Sequence, residues 1–151
     1  MDPSSAQEPA PATEPTYPGY VQFALLFAAF AGLSGVAAGA LGAHALEGVL
    51  SADGLKSFET GVRYQVLHAL FLLFLGLWER QQPSRLGRWL VGLTVVGIVL
   101  FSGSIYLLQA TGYRGLPLVL STPLGGGCLL VAWGLLFLRF FQRFSSGKSV
   151  R

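Results

Sequence analysis

Residues 115–138 read GLPLVLSTPLGGGCLLVAWGLLFL, 24 consecutive residues without a charged side chain. About 20 apolar residues are enough for an α-helix to cross the hydrocarbon of a bilayer. Further uncharged stretches occur upstream, at 15–46, 64–78 and 89–113. Of the 151 residues, 52% are hydrophobic and only 11% are charged, and this composition excludes a water-soluble enzyme.

The uncharged stretches predict an all-α integral membrane protein, a four-helix bundle within residues 20–144. We expect its spans at about 20–43, 61–78, 89–108 and 116–138. Helices are favoured over barrel strands because these runs lack alternating polarity and because unpaired backbone groups are costly in lipid. The second span is interrupted by Arg63 and His68. Arg63 lies near enough to the span end for its charge to reach the headgroups.

The two chain ends differ from the spans in composition. Residues 1–19 contain five of the eight prolines and three carboxylates, without Lys or Arg. Such a segment cannot bury enough apolar surface to fold, so we predict a disordered tail over 1–19. Residues 145–151 are predicted to form a short basic tail.

Basic residues predict the orientation of the four spans. Four spans place both termini and the 79–88 connection on one side, which carries seven Lys and Arg residues against three on the other. By the positive-inside rule, both termini are expected in the cytoplasm. We expect the bacterial inner membrane, with an organellar inner membrane as the alternative. The basic residues flank the spans and form no face with interleaved aromatics, so no nucleic-acid partner is predicted.

Glycines in the first span follow helical spacing. Gly32, Gly35, Gly39 and Gly42 are three, four and three residues apart, which places them on one helical stripe. Small residues let membrane helices approach closely. The stripe therefore predicts packing, either inside this bundle or against a partner subunit. Gly103 and Gly125 are assigned the same packing role in the third and fourth spans.

Polar residues within the spans are predicted to lie at similar depth, in the outer leaflet. Polar and ionisable groups inside a membrane usually face a bundle interior or a water-filled cavity, so this convergence predicts a site. The alternative is that these groups hydrogen-bond between helices and only hold the bundle together. The candidate cluster consists of His44, Tyr64, Gln65, His68, Ser102, Ser104 and Thr122.

No catalytic residue, metal or cofactor is predicted. Two histidines are too few for a catalytic zinc, and we place no carboxylate deep in a span to complete a metal site. Haem held by His44 and His68 would need both imidazoles in one slot, whereas His44 is expected at the headgroups. His68 is the sole candidate base for a serine nucleophile, without an acid at its depth to orient it.

Four sequence strings together resemble a known family. They are GALGAHAL at 39–46, TGVRYQVLHAL at 60–70, FSGSIYLL at 101–108 and STPLGGG at 121–127 with Trp133. They are similar to the domain of unknown function 423 family, the transmembrane protein 256-like small membrane proteins, over about residues 21–138. The family motif falls on Gly42, His44, Tyr64, His68, Phe101, Ser102, Gly103, Ser104, Pro123 and Gly125. Leu41 departs from the pattern, which often has an aromatic residue there.

The resemblance implies a multi-pass membrane protein of an inner or organellar membrane, and it leaves the activity open. Our leading hypothesis is a non-enzymatic accessory subunit or assembly factor that docks to other membrane proteins in the bilayer, as a hetero-complex or a homo-oligomer. The alternative is a protein that binds or transports a small solute or a lipid headgroup in an outer-leaflet polar pocket.

Overall fold

The computed structural model describes residues 17–146. Most of the predicted tail at 1–19 and most of the basic tail at 145–151 lie outside the described residues. Within residues 17–146 the chain is helical and contains no strand, which confirms the predicted all-α class. The helices are α1 Gly19–His44, α2 Ala52–Gln81, α3 Arg85–Ile98, a π-helical turn Val99–Gly103, α4 Ser104–Thr111 and α5 Leu116–Ser146.

α3, the π-helical turn and α4 form one continuous third span, Arg85–Thr111. This span, α1, α2 and α5 are each long and apolar enough to cross a membrane. Short connections make neighbouring spans antiparallel. We call the end where α1 begins and α5 finishes the termini end, and the end with loops 45–51 and 112–115 the distal end.

The largest difference from the predicted helix boundaries is in α2. α2 begins nine residues earlier than the predicted span at 61, because Ser51 caps it by accepting a hydrogen bond from the Gly54 N–H at 3.1 Å. α2 also continues past 78, so Glu79 lies in its last turn. The sequence analysis placed Glu79 in the connection, whereas the structure places it within α2, because a helix need not end where the hydrocarbon does.

α2 and the third span occupy the centre of the bundle. α1 packs mainly against α2, and α5 packs mainly against the third span. Within the described residues no Cα atom of α1 lies within 8 Å of a Cα atom of α5, so the two helices pack on different sides of the central pair. All four spans contribute to the apolar core, which consists of Ala24, Ala28, Phe71, Leu72, Leu75, Leu90, Val91, Ala132 and Leu136.

Three of the four stripe glycines face α2. A Cβ added at Gly35 would lie 2.7 Å from Val66, and one at Gly42 would lie 3.3 Å from the Phe58 ring. Gly39 is also close to α2, whereas a Cβ at Gly32 would meet nothing within 4 Å. α2 of the same chain therefore covers most of the stripe.

A second close approach joins the third span to α5. A Cβ at Gly125 would collide with the backbone of Leu100 and Phe101, and one at Gly97 would collide with Leu129. The approach lies directly beside the π-helical turn. Gly103 belongs to that turn but has open space where a Cβ would be.

Candidate functional site

Hydroxyl groups link the third span to its neighbours in the distal half. Ser102, only 1% exposed, donates from Oγ to the Gly61 carbonyl oxygen of α2 at 2.8 Å. Ser104 Oγ and Thr122 Oγ1 of α5 are 2.6 Å apart and share a hydrogen bond. Both bonds pair polar groups for which lipid offers no hydrogen-bonding partner.

Gln65 links α2 to α1. Its side chain is 6% exposed, and Nε2 donates to the Ala31 carbonyl oxygen at 2.8 Å and to Ser34 Oγ at 2.9 Å. Both amide hydrogens are used by these two bonds. Gln65 therefore makes its hydrogen bonds with α1 and not with Ser102 or Ser104.

His68 is held in one neutral tautomer by its two neighbours. The Trp133 indole can only donate, so its Nε1–H bond to His68 Nε2, at 3.2 Å, requires an unprotonated Nε2. Nδ1 then carries the hydrogen and donates to the Tyr64 carbonyl oxygen at 2.8 Å. Since both ring nitrogens are engaged, neither is free to act as a base.

The candidate residues do not line one pocket. Tyr64 and His68 border a groove of about 500 Å³ between α2 and α5, together with Phe101, Pro123 and Trp133, which we call the His68 groove. Thr122 lines a separate groove that includes Arg114.

Gln65 and His44 lie apart from the His68 groove. Gln65 lines a groove of about 370 Å³ between α1, α2 and the third span, which we call the Gln65 groove. His44 is exposed at the last residue of α1 and makes none of the hydrogen bonds described above.

Glu79 is the functional candidate that the sequence analysis missed. Its side chain is 0% exposed, and Arg139 of α5 forms an ion pair with Oε1 at 2.9 Å. Tyr20 of α1 donates to Oε2 at 2.9 Å, and the Ser84 N–H donates to Oε2 at 2.7 Å. The Ser84 hydroxyl donates as well, so this carboxylate joins α1, α2 and α5 to the N-cap of the third span at the termini end. We call these four residues the Glu79 network.

The surroundings of Glu79 fit its burial. The Arg139 guanidinium also lies 4.2 Å from the Trp78 ring centroid, which makes a cation–π contact. A Cβ at Gly87 would collide with the Glu79 carboxylate, so the glycine leaves room for it. The sequence signal was an arginine directly after a 24-residue uncharged run, which needs an acidic partner if it is drawn inward.

Between residues 17 and 146 no group of three or more His, Cys, Asp or Glu side chains is placed to hold a metal ion. Cys128 is a free, half-buried thiol in α5.

Comparison with known proteins places this chain in a family. The family described as protein of unknown function DUF423 matches residues 38–126. A UPF0382 membrane protein of Staphylococcus saprophyticus is 38% identical over 104 residues, which cover 69% of this chain and 84% of the relative. The UPF0382 inner membrane protein YgdD of Escherichia coli K12 is 37% identical over 115 residues, covering 76% and 86%. No solved structure matches. The chain therefore belongs to the DUF423 family, a family of membrane proteins of unknown function.

Proposed function

We propose that this protein is a non-enzymatic accessory or assembly subunit that packs against another membrane protein. The observation that carries the proposal is the outward face of α1. Ala29, Ala37 and Ala40 are exposed on the side opposite the buried glycines, and Gly32 has open space beside it. Small residues on a lipid-exposed face allow a second helix to approach closely.

Burial of the spans supports the same proposal. In the most apolar part of α1, 22% of the residues are buried, against 44% in α2 and in the third span. α5 is also 22% buried in its corresponding part. Lipid is as apolar as leucine, so exposure of leucine alone would not favour a protein partner. On α1 the exposed alanines lie between the protruding Leu26, Leu33 and Val36, and they leave gaps into which the side chains of a second helix can pack. On α5, Leu130, Phe137 and Phe141 protrude.

Gly32→Leu tests the proposal, because a Cβ at Gly32 would meet nothing within 4 Å and the larger side chain would extend into the open space at the edge of the outward face. We expect crosslinking in native membranes to recover a defined partner complex with the wild-type protein. Gly32→Leu should reduce its recovery several-fold. Gly134→Leu of α5 is the matched control, since a Cβ there also meets nothing within 4 Å.

Two results would contradict the accessory role. The first is equal recovery of the complex from Gly32→Leu and Gly134→Leu membranes. The second is purification of the wild type only as a lone monomer after crosslinking. Gly35→Leu is unsuitable as a probe, because Val66 of the same chain already occupies the space beside Gly35.

The proposed location is the bacterial inner membrane, with both termini in the cytoplasm. The seven-to-three distribution of basic residues and the inner membrane name of the Escherichia coli relative support it. Val49, exposed in the first loop, gives the test. After Cys128→Ser, a membrane-impermeant thiol reagent should label Val49→Cys from outside intact cells and should leave Ser149→Cys, near the C-terminus, unlabelled. The reverse pattern would refute the orientation.

A second candidate function is the binding of a small solute or lipid headgroup in the His68 groove. The observation that favours it is that the His68–Trp133 hydrogen bond lies in the groove wall, beside the exposed Tyr64. Mass spectrometry of the protein released from native membranes should then detect a bound molecule that His68→Ala loses. An unchanged set of bound molecules would exclude this function.

A further inference from the structure

The Gln65 groove is separate from the α1 face invoked for docking. It lies between α1, α2 and the third span, and its walls are largely apolar, with Phe27 and Ile98 among them. Phe30 and Val99 are exposed at its rim, which faces the bilayer. A volume of about 370 Å³ falls in the usual range of small-molecule sites, about 300–1,000 Å³.

Two polar groups in the walls of this groove have unused hydrogen-bonding capacity. The Tyr106 hydroxyl is buried and makes no hydrogen bond, and it is the one such side-chain atom in the described part of the chain. Gln65 uses both amide hydrogens on α1, which leaves its carbonyl oxygen as an acceptor. Buried polar groups in native proteins are almost always paired, so an unpaired hydroxyl calls for an explanation.

The two unused groups have opposite hydrogen-bonding roles, since the Tyr106 hydroxyl can donate and the Gln65 carbonyl oxygen can accept. A ligand hydroxyl can accept a hydrogen bond from Tyr106 and donate one to Gln65. Gln65 lies six residues beyond the exposed Glu59, which is about 9 Å further along the helix axis into the bilayer. A charged headgroup at that depth would be costly, which favours a neutral ligand.

We propose that the Gln65 groove binds a neutral lipid whose hydrocarbon chain carries one hydroxyl group. The hydroxyl lies between Tyr106 and Gln65, and the chain lies along the apolar wall and leaves the groove between Phe30 and Val99. The ligand enters sideways from the bilayer, so no aqueous path is needed.

Tyr106→Phe is the decisive variant, because it removes the hydroxyl and no hydrogen bond within the protein. The aromatic contact with Phe58, at 4.9 Å between centroids, is retained. The full chain in nanodiscs is labelled with hexadecanol that carries a photoreactive diazirine. We expect Tyr106→Phe to reduce labelling of peptides from α1 and residues 98–106 by about three- to tenfold, the value of one hydrogen bond.

Two controls make the result specific. Tyr64→Phe, which alters the other groove, should leave the labelling unchanged. A diazirine-bearing hexadecane, which lacks the hydroxyl, should label wild type and Tyr106→Phe equally and weakly. Hexadecanol should also raise the melting temperature of the wild type more than that of Tyr106→Phe.

Three outcomes would overturn the proposal. They are equal labelling of wild type and Tyr106→Phe by the alcohol, equal labelling of the wild type by alcohol and hydrocarbon, and no effect of hexadecanol on either melting temperature. The last outcome would indicate that a water molecule, rather than a lipid, satisfies Tyr106. None of them bears on the docking face, which Gly32→Leu tests separately.

Discussion

At the termini end one carboxylate binds residues of α1 and α5 and the N-cap residue of the third span, whereas in the distal half each hydroxyl group joins only two spans. Glu79 accepts hydrogen bonds from Tyr20, Ser84 and Arg139. Ser102 reaches only Gly61 of α2, and Ser104 pairs with Thr122 of α5. The first arrangement is a shared network, and the second is a set of separate pairs.

This difference has consequences for how the two ends can move. Removing one member of a shared buried network leaves the other members unsatisfied, so the termini end should respond as a unit. The distal half contains the π-helical turn and Pro123 inside α5. The turn residues Gly103 and Phe101 line the Gln65 groove and the His68 groove respectively. π-helical turns are frequent at functional sites. The distal half is therefore the part suited to adjust around a ligand.

The largest effect is expected from Glu79→Ala. It leaves Arg139 buried without its partner, since that side chain is only 10% exposed, and removes the acceptor for Tyr20 and Ser84. Breaking a buried ion pair in this way costs about 3–5 kcal/mol. Unfolding in detergent, followed by circular dichroism, measures the loss. Glu59→Ala, an exposed carboxylate of the same helix, should unfold like the wild type. Equal stability of the two variants would refute the network.

The second-largest effect is expected from Gly125→Ala, which tests the close approach between the third span and α5. Gly125→Ala pushes a Cβ into the Leu100 and Phe101 backbone, and overpacking of this kind costs about 1–3 kcal/mol. Gly127→Ala, two residues further along the same helix, meets nothing within 4 Å. It should be neutral or slightly stabilising, because alanine favours helix over glycine. The same unfolding assay compares the pair, and a Gly127→Ala loss as large as that of Gly125→Ala would count against the approach.

The fold was predictable because its cause is compositional. Runs such as 115–138 have no charged residue that would favour exposure to water. The positions of the charged residues along the chain are therefore enough to predict four membrane helices in sequence order. The helix ends were not predictable in the same way. Glu79 looked like part of a charged connection, and only the position of Arg139 on α5 shows why α2 continues through it.

The polar residues of the candidate site were predictable from the sequence. Their division between separate grooves and different partner helices was not. Depth along the bilayer can be counted from the sequence, whereas rotation about each helix axis cannot. Gln65 and His68 are three residues apart, yet Gln65 reaches α1 and His68 reaches Trp133 of α5. Tyr106 was not among the candidate residues, because an unpaired hydroxyl is a property of the packed structure.

A smaller effect is expected from Ser102→Ala. The variant removes one interhelical hydrogen bond, and such bonds in membranes average about 0.6 kcal/mol and reach about 1.7.

Combining Ser102→Ala with Thr122→Val should give the sum of the two losses in stability to within about 0.5 kcal/mol, because the two hydrogen-bonded pairs share no partner. Tyr20→Phe combined with Arg139→Met should deviate from additivity, since both residues bind Glu79. Additivity at the termini end would remove the contrast between the two regions.

The smallest effect is expected from Trp133→Phe. The indole is 45% exposed, and phenylalanine retains the stacking on Phe71, at 4.2 Å between centroids. The bond to His68 Nε2 is lost, which should cost about 0.5 kcal/mol, near the membrane average. Nitrogen-15 NMR reads the bond directly, because the chain has two histidines and exposed His44 serves as the internal reference. The His68 Nε2 resonance should shift in the variant while that of His44 stays fixed. If His68 carries its hydrogen on Nε2 in the wild type, the indole cannot donate to it, and α2 and α5 are joined there by ring packing alone.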